Sequence, residues 1–518
     1  MAFDALTMQN LAGLNSRRAW SVWFVAVILT VGIHCSTLTF YPPIMSDEVQ
    51  ILEYGRAMVS PGERDWSTNW QVTGRPALVP YYLGCTLEEL ALRLAGGSNA
   101  GPRLFSLLGA VFAGTAMMGW LLRRGSAPAI GLVCSLILLW DPLFTLSYRF
   151  VRLEGWVFGF IFTACWCIRI AATSEAGSLR AKGSALIAGA CLALAGLFWA
   201  SAILLLPLVF HEVLDPCLSG PVRTSWRIQL GVLLRLLVAG CAVFLMALLP
   251  VWPAVWTSIQ DFRTDLTYNF NMAAIIEPVL RVFACFKHSP WIPAIGIISL
   301  LRPRCRMLGL CFLVALAGVS MTSPYTNRVV YLLPYLVLAA ALLADTALSE
   351  SPHSTRHRLV VLGLALALVW ASLVTLCGGH YTWGALYRRE ATSPDRIMEV
   401  ARQVTGPGAA RVYVDTFEFY YAGRELGWKQ FLLYDEPAAS EKECLELLET
   451  MDFVILPEDF PDCGEQGQLL RQHGFSLAKR LVASRGKGSE GKPREPSPYN
   501  TRGYGAYLIY ARSGPVHN

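Results

Sequence analysis

The sequence predicts a polytopic α-helical membrane protein with about eleven transmembrane helices and a small α/β domain at its carboxyl end. Hydrophobic residues make up 54% of its 518 positions and charged residues only 15%, whereas soluble domains carry roughly 25% charged residues. The mean hydropathy is +0.43. This composition leaves too little polar surface for a water-soluble globule of this length.

Long apolar runs supply the predicted spans. Segments such as 104–122 and 359–376 carry no charged residue and approach the ~20 residues that a helix needs to cross ~30 Å of hydrocarbon. Backbone polar groups in lipid must be satisfied within the segment, so these runs predict helices. The first run lacks a clear cleavage site after it, which favours a retained span over a signal peptide. The predicted spans are 20–38, 102–122, 127–145, 151–170, 184–198, 200–214, 228–250, 287–301, 307–320, 328–345 and 359–377.

Clusters of arginine and lysine set the predicted orientation, because an excess of these residues marks cytoplasmic loops. If every cluster faces the cytoplasm, the stretch 183–214 must cross twice, with a break near 198–201. The N-terminus is then cytoplasmic and the C-terminus lies outside. The clusters are Arg17 and Arg18, Arg123 and Arg124, Arg180 and Lys182, Arg223 and Arg227, Arg302, Arg304 and Arg306, and Arg356 and Arg358.

This map divides the chain into a transmembrane part, 1–379, whose first outer loop spans 41–101, and an outer domain, 380–518. The outer domain carries alternating runs, ARVYVDTFEFYY, MDFVILPED and GAYLIYAR, and a helical stretch at 394–403. This pattern predicts a small α/β domain. Cys444 and Cys463 lie in this domain, where oxidation is possible. The sequence is compatible with a disulfide between them and with two free thiols.

The acidic pair Asp47 and Glu48 directly follows the first span. A structural explanation is available, because acidic residues in the first turn of a helix complement its dipole. The pair also begins an amphipathic helix that would lie in the membrane interface and hold both carboxylates at headgroup height. Ionisable groups at membrane depth are costly and tend to be functional. The apolar face of this helix is formed by Ile51, Tyr54, Gly55 and Met58.

Arginines also occur in the predicted outer loops, against the positive-inside tendency. Their side chains can snorkel or pair with nearby glutamates. These outer arginines are Arg56, Arg75, Arg149, Arg152 and Arg328.

In their order these features resemble the GT-C superfamily of polyprenyl-phosphate-sugar-dependent glycosyltransferases. The closer resemblance is to the bacterial branch related to dolichyl-phosphate-mannose protein mannosyltransferases, which includes the lipid A aminoarabinose and galacturonic acid transferases. The motifs cover most of residues 20–345, and their shared order and predicted sidedness make the set fairly specific. They are SDEVQILEYGRAM, GRPALVPYYLG, Arg103 at the start of the second span, SYRFVRLEGWVFGF and NRVVYLLPYLVL.

The resemblance implies an inverting transfer of a sugar from a polyprenyl phosphate to an acceptor at the outer face of a bacterial inner membrane. Asp47 matches the family's catalytic aspartate and would act as the general base, while Glu48 would orient it or help to bind a cation. The outer arginines would stabilise the leaving phosphate. Acceptor binding or support of the base would involve Glu154, Glu63 and Asp65, and the last two could hold a divalent cation with Asp47.

Two other functions stay open, a transporter or flippase of a lipid-linked or amphipathic substrate and a non-catalytic envelope scaffold. A transporter is expected to carry broken helices and charges near the bilayer midplane, whereas the predicted spans are nearly charge-free. The presence of the whole Asp and Arg set argues against a scaffold. The expected partners are the lipid-linked donor, membrane lipid and an acceptor glycan, lipid or protein, with no nucleic acid.

Overall fold

In the part that the structure describes, the chain starts with helix α1, Ser16–Cys35. Asn15 caps this helix, because its side chain accepts a hydrogen bond from the backbone N–H of Arg18 at 2.9 Å. Trp23 is buried and Ile28 is exposed, as expected for a helix with one side in lipid. The structure, a computed structural model, describes residues 15–40, 42, 44, 46–60, 79–175, 177–218, 226–253, 255–256, 276–300, 302, 305–322, 326–348, 355–375, 386, 389, 393–406, 410–414, 416–431, 448–458, 463–482 and 504–512.

Two helices follow within the predicted first outer loop: α2, Ser46–Val59, and α3, Tyr82–Leu94. They pack closely, since a Cβ atom at Gly55 would lie 2.0 Å from the carbonyl oxygen of Cys85. The predicted helix after Asp47 is confirmed, but the expectation of a single buried face is wrong. Val49, Ile51 and Leu52 are all fully buried, so α2 is enclosed by protein around much of its circumference.

The helices of the transmembrane part are mostly long and apolar. Short 3₁₀ segments occur beside them at Ala200–Leu205, Leu249–Val251, Phe286–His288 and Val330–Leu332. The α-helices are α4, Ala100–Arg124; α5, Pro128–Trp140; α6, Pro142–Arg149; α7, Glu154–Thr173; α8, Leu179–Phe198; α9, Leu206–Leu218; α10, Trp226–Leu248; α11, Ile276–Cys285; α12, Trp291–Leu300; α13, Arg306–Thr322; α14, Thr326–Val329; α15, Leu333–Leu348; and α16, Thr355–Thr375.

Within the described residues, six helices are long and apolar enough to cross a membrane, or seven if the pair α5 and α6 forms one bent span. Shorter apolar helices lie at Arg306–Met321 and Leu359–Leu373. The predicted class, a polytopic helical membrane protein, is therefore confirmed. The predicted number of about eleven crossings stays a prediction.

Two breaks interrupt the apolar helices. The axes of α5 and α6 differ by 55°, and Asp141 caps α6 by accepting a hydrogen bond from the backbone N–H of Leu143 at 2.9 Å. The other break lies where the sequence predicts it, because α8 ends at Phe198 and a 3₁₀ segment starts at Ala200. Trp199 is thereby presented at the junction between two helices.

Glycines allow α4 and α7 to approach each other. A Cβ atom at Gly109 would lie 2.6 Å from the ring of Trp156, and one at Gly155 would lie 2.5 Å from the backbone nitrogen of Ala110. Larger residues at these positions would push the helices apart. Because α7 begins at Glu154, this contact places the preceding segment directly against α4.

The carboxyl-terminal residues form a mixed sheet with flanking helices. Among the described residues the strand order is β2-β1-β3-β5-β4. Strand β1 pairs in parallel with β2 and β3, and β5 pairs antiparallel with β3 and β4. The elements are α17, Pro394–Thr405; β1, Arg411–Val414; α18, Tyr420–Glu425; β2, Lys429–Phe431; β3, Phe453–Pro457; α19, Cys463–Gln472; β4, Phe475–Val482; and β5, Ala506–Arg512.

The run ARVYVDTFEFYY is only partly a strand, so its prediction as one alternating run is wrong. After β1, the Thr416 side chain accepts a hydrogen bond from the backbone N–H of Glu418 and starts a 3₁₀ segment, Phe417–Phe419, that leads into α18. Three successive aromatic residues, Phe419, Tyr420 and Tyr421, are all buried there. A strand would point successive side chains to opposite faces, whereas this segment is enclosed by protein.

Candidate active site

Asp47 and Arg152 form an ion pair between α2 and the segment that leads into α7. Asp47 is the second residue of α2, where the helix dipole favours a negative charge. Its side chain is 34% exposed, whereas that of Arg152 is 6% exposed. The pair is therefore open on the carboxylate side and closed behind the guanidinium, which suits a carboxylate that meets a substrate.

Glu154 binds the same guanidinium. Both of its oxygens accept from Nε of Arg152 at 3.0 Å, and a further contact joins it to the Nη2 atom. One buried cation thus faces two carboxylates, of which only Asp47 is partly exposed.

Helix α4 holds the backbone of Arg152. The Arg152 N–H donates to Oγ of Ser106 at 2.9 Å, and the Ser106 hydroxyl donates to Oε1 of Glu88 at 2.7 Å. Burial raises the pKa of the Glu88 carboxyl well above its usual range, and the nearby charge of Glu48 adds to this shift. The chain of hydrogen bonds links α3, α4 and the start of α7 beneath Asp47.

Glu48, the neighbour of Asp47, points into the protein. It pairs with Arg103 of α4 at 2.9 Å, and neither side chain is exposed. Arg103 also donates to the carbonyl oxygen of Leu38 at 2.9 Å, and the Tyr421 hydroxyl of α18 donates to Glu48. Glu48 is therefore enclosed by protein, whereas Asp47 is partly exposed, and the predicted headgroup height of the two carboxylates stays a prediction. The contacts of Glu48 favour the orienting role over cation binding.

Arg149 contacts the end of α1 and the residues that follow it. Its Nη1 lies 2.6 Å from Nδ1 of His34 at the end of α1, and its Nη2 donates to the carbonyl and hydroxyl oxygens of Thr37 at 3.2 and 3.0 Å. The side chain is fully buried. The geometry supports a structural role for Arg149 at the junction of α1 and α6, and it does not support the predicted phosphate contact.

Arg56 is also not brought to Asp47. It lies nine residues further along α2, about 13 Å along the helix axis. It pairs with Glu53 at 3.4 Å, and Glu53 also accepts a hydrogen bond from Tyr420 at 2.6 Å. These contacts connect α2 to the carboxyl-terminal domain.

Arg328 lies in α14, within electrostatic range of the phenol groups of Tyr81 and Tyr331. Tyr331 is also within electrostatic range of Arg152 and Glu154. The Arg152 guanidinium carbon lies 5.9 Å from the ring centre of Trp199. Two predicted phosphate-binding arginines, Arg152 and Arg328, thus act electrostatically on the same tyrosine, Tyr331.

Several predicted residues lie outside the described residues. These are Arg75, Glu63, Asp65 and Cys444, and only the backbone of Cys463 is described. In the part of the chain that the structure describes, no group of three His, Cys, Asp or Glu side chains could hold a metal ion. The predicted divalent-cation site at Asp47 therefore stays a prediction, as does the disulfide.

Sequence reasoning missed the partners of the acidic pair. Arg103 was noticed only as a motif residue, and Ser106 and Glu88 were not considered. A signal for Arg103 and Ser106 exists, because polar residues three positions apart share one face of an apolar helix and need buried partners. Tyr421 lies 373 residues from Glu48 in sequence and gives no local signal.

Comparison with solved structures identifies the class of fold. No protein-family model and no curated protein matches the sequence. Two crystal structures of ArnT from Cupriavidus metallidurans are similar, each with a TM-score of 0.56. The apo form is 15% identical and covers 96% of this chain and 98% of its own. The form bound to undecaprenyl phosphate is 14% identical in sequence, and the similarity covers 95% of this chain and 98% of the ArnT chain.

A third similar structure is the apo oligosaccharyltransferase of Archaeoglobus fulgidus, with 12% identity, coverage of 86% of this chain and 70% of that one, and a TM-score of 0.48. The agreement with the ArnT structures extends over almost the whole length of both chains. It confirms the fold predicted from the sequence, a GT-C-like helical membrane protein with a small carboxyl-terminal α/β domain.

Proposed function

We propose that this chain is an inverting glycosyltransferase that moves a sugar from a polyprenyl-phosphate donor to an acceptor. The observation that carries the proposal is the ion pair of Asp47 with Arg152, in which a partly exposed carboxylate stands beside a buried cation. A base and a fixed positive charge are the two groups that this reaction needs, and they are adjacent here.

In the proposed reaction, Asp47 removes the proton of an acceptor hydroxyl. The acceptor oxygen forms a bond to C1 of the sugar from one face, while the bond between C1 and the phosphate oxygen breaks on the other, through an oxocarbenium-like transition state. The bonding electron pair leaves with the polyprenyl phosphate. The configuration at C1 is inverted, and Asp47 later releases its proton to water.

The departing phosphate gains negative charge as the bond breaks. A fixed guanidinium beside it stabilises the transition state more than the bound donor, and two parallel hydrogen bonds suit phosphate oxygens. Arg152 and Arg328 are the described arginines that support this role, and Arg75 remains a candidate from the sequence. The structurally similar ArnT bound to undecaprenyl phosphate agrees with a lipid-phosphate donor.

We infer that the site faces the outside of a bacterial inner membrane, with the N-terminus in the cytoplasm. Helix α4 carries Arg103 at the end near Asp47 and Arg123 and Arg124 at its other end. Lysine and arginine clusters mark cytoplasmic ends, so the pair at the far end supports an outward-facing site. The carboxyl-terminal domain contacts α2 and therefore lies on the same outer side.

A transporter is less well supported, because the end of the bundle opposite the site is held closed. Arg169 of α7 pairs with Glu212 at 2.6 Å and Asp215 at 2.7 Å, both in α9. Arg124 of α4 pairs with the same two acids, about 30 Å along α4 from Arg103. Alternating access would have to separate these three helices and expose the charges.

The test is sugar transfer by purified protein in nanodiscs, with several radiolabelled polyprenyl-phosphate sugars and a membrane extract as the source of acceptor. Asp47→Asn keeps the size of the side chain but cannot accept a proton at neutral pH. We expect transfer to fall by a factor on the order of 100 to 10,000.

The matched control is Glu53→Gln, which changes an acid on the same helix away from Arg152. It should transfer sugar at nearly the normal rate per folded protein. Absence of transfer from every donor by the unmodified protein would overturn the proposed function. Normal turnover by Asp47→Asn would leave the reaction but remove Asp47 as its base.

A further inference from the structure

Helix α18 of the carboxyl-terminal domain contacts both helices of the first outer loop. Tyr420 donates to Glu53 of α2 at 2.6 Å, and the next residue, Tyr421, donates to Glu48 of the same helix. Arg424 binds Glu89 of α3 through two nitrogen–oxygen contacts of 2.7 and 2.8 Å. Three hydrogen-bonding side chains of one short helix thus bind the loop that carries Asp47.

Helix α18 is firmly attached to its own domain. The side-chain amide of Gln430, in β2, donates to the carbonyl oxygens of Phe419 and Tyr420 at 2.9 and 3.2 Å. Gly423 has no space for a Cβ atom, which would overlap the Gln430 side chain. The hydroxyl of Tyr421 is therefore presented by the sheet as a rigid group.

The Tyr421 hydroxyl completes the surroundings of a buried charge. Glu48 and Arg103 are both fully buried, and a buried ion pair needs further hydrogen bonds to offset the loss of hydration. Tyr421 supplies one. Burial and the charge of Glu48 raise the pKa of Tyr421, so its hydroxyl keeps the proton that it donates.

The direction of Glu48 determines that of Asp47. Adjacent residues on an α-helix are separated by about 100° around its axis. When Glu48 points inward to Arg103 and Tyr421, Asp47 points towards Arg152. A rotation of α2 that released Glu48 would also carry the Asp47 carboxylate away from Arg152.

We propose that Tyr421 is a positioning residue for sugar transfer, which holds Glu48 against Arg103 and thereby fixes the direction of the Asp47 carboxylate. This inference rests on the proposed function of the same site. It assigns the carboxyl-terminal domain a part in catalysis, as the structure that sets the rotation of α2. Tyr504, whose hydroxyl interacts with the backbone of Ile44 just before α2, contributes a second contact from this domain.

The chain offers a matched pair of variants. Tyr421→Phe and Tyr420→Phe each remove one hydroxyl from adjacent residues of α18, and each removes one hydrogen bond to a glutamate of α2. Only Tyr421 binds the glutamate beside Asp47. We expect Tyr421→Phe to lower kcat about tenfold, the effect of losing one hydrogen bond to a charged group, with the KM for the donor unchanged. Tyr420→Phe should stay within about twofold of the unmodified protein.

A second comparison separates positioning from stability. If Tyr421 acts by aiming Asp47, Tyr421→Phe should change nothing further in an Asp47→Asn background, because the group it aims is already inactive. An effect of Tyr421 on transfer that does not act through Asp47 would lower the residual transfer of Asp47→Asn by the same factor as that of the unmodified protein. All rates are measured in nanodiscs and divided by the amount of folded protein.

The outcomes are distinct. Unmodified protein that transfers no sugar overturns the proposed function and this inference with it. If the unmodified protein is active and Tyr421→Phe behaves like Tyr420→Phe, only the positioning role is overturned. The positioning role is also overturned if Tyr421→Phe lowers transfer by the same factor in the unmodified protein and in the Asp47→Asn variant.

Discussion

The guanidinium of Arg103 lies 2.9 Å from the carboxylate of Glu48, and neither side chain has any exposed surface. The pair joins the first apolar helix after the outer loop to the helix that carries Asp47. Taking two charges out of water is costly, so each depends on the other for its compensation. This dependence makes the pair a sensitive test of the fold.

Removing one partner should destabilise the protein far more than removing both. We expect Arg103→Gln to lower the free energy of unfolding by about 3–5 kcal/mol, because Glu48 is left buried without its cation. The double variant Arg103→Met, Glu48→Leu should recover a large part of the loss. The measurement is denaturant or thermal unfolding in detergent. Arg402→Gln, which breaks an exposed pair with Glu425, is the control and should cost less than about 1 kcal/mol.

The two arginines of the turn before α7 should behave differently. Arg152→Gln should lower sugar transfer by a factor on the order of 100 with little loss of folded protein, because it removes the cation beside Asp47. Arg152→Lys should be intermediate, since it keeps the charge but loses the planar fork. Arg149→Gln should mainly lower thermal stability, because Arg149 binds the end of α1. Equal losses of transfer per folded molecule in both glutamine variants would contradict this division.

Glu88 should make stability depend on pH. Burial raises its pKa in the folded state above the value in the unfolded chain, so folding favours the protonated form. Its contribution is greatest below the unfolded pKa and is lost as the pH rises towards the folded pKa. Glu88→Gln resembles the protonated acid and should gain stability relative to the unmodified protein as the pH rises above the pKa of a glutamate in an unfolded chain, about 4.3. Glu399→Gln changes an exposed acid, so its stability relative to the unmodified protein should not depend on pH in this way. A stability difference between Glu88→Gln and the unmodified protein that is the same at every pH would contradict a buried, neutral Glu88.

Reporter fusions test the proposed orientation. A reporter that works only outside the cytoplasm should be active after Gly62, Arg263 and Trp383, and silent after Gly125 and His353, because the basic clusters face the cytoplasm. A silent fusion at Trp383 would indicate an even number of crossings. The break at Trp199 would then not separate two full spans.

The sequence predicted site residues where reactive or charged side chains occur in a recognisable local pattern. Asp47, Arg152 and Glu154 stand in short polar motifs beside apolar runs, so their type and position indicated a site before any geometry was known. The requirement that every basic cluster face the cytoplasm also predicted the break near Trp199. The local pattern could not show that Arg149 contacts His34 whereas Arg152 contacts Asp47. Both arginines belong to the same motif and differ only in their tertiary contacts.

The segment containing Tyr421 shows the other limit. Alternation of polar and aromatic residues predicted a continuing strand, but the buried surroundings of Phe419, Tyr420 and Tyr421 favour a helix in which all three are covered. Local propensity gave way to tertiary packing. The hydrogen bond from Tyr421 to Glu48 joins distant parts of the chain, and no pattern within a short window contains both residues.

The order of strands has a consequence for biogenesis. Strand β5 follows the other strands in the chain, yet it lies inside the sheet between β3 and β4. Strand β4 is connected to β3 only through β5. It can therefore join the sheet only after residues up to Arg512 have been synthesised and have reached the compartment of the domain. Chains emerge from the ribosome with the N-terminus first, so the helices of the transmembrane part are inserted while the sheet is still incomplete. Assembly around Glu48 thus ends late, because Tyr421 belongs to a domain whose sheet is complete only when β5 has been inserted.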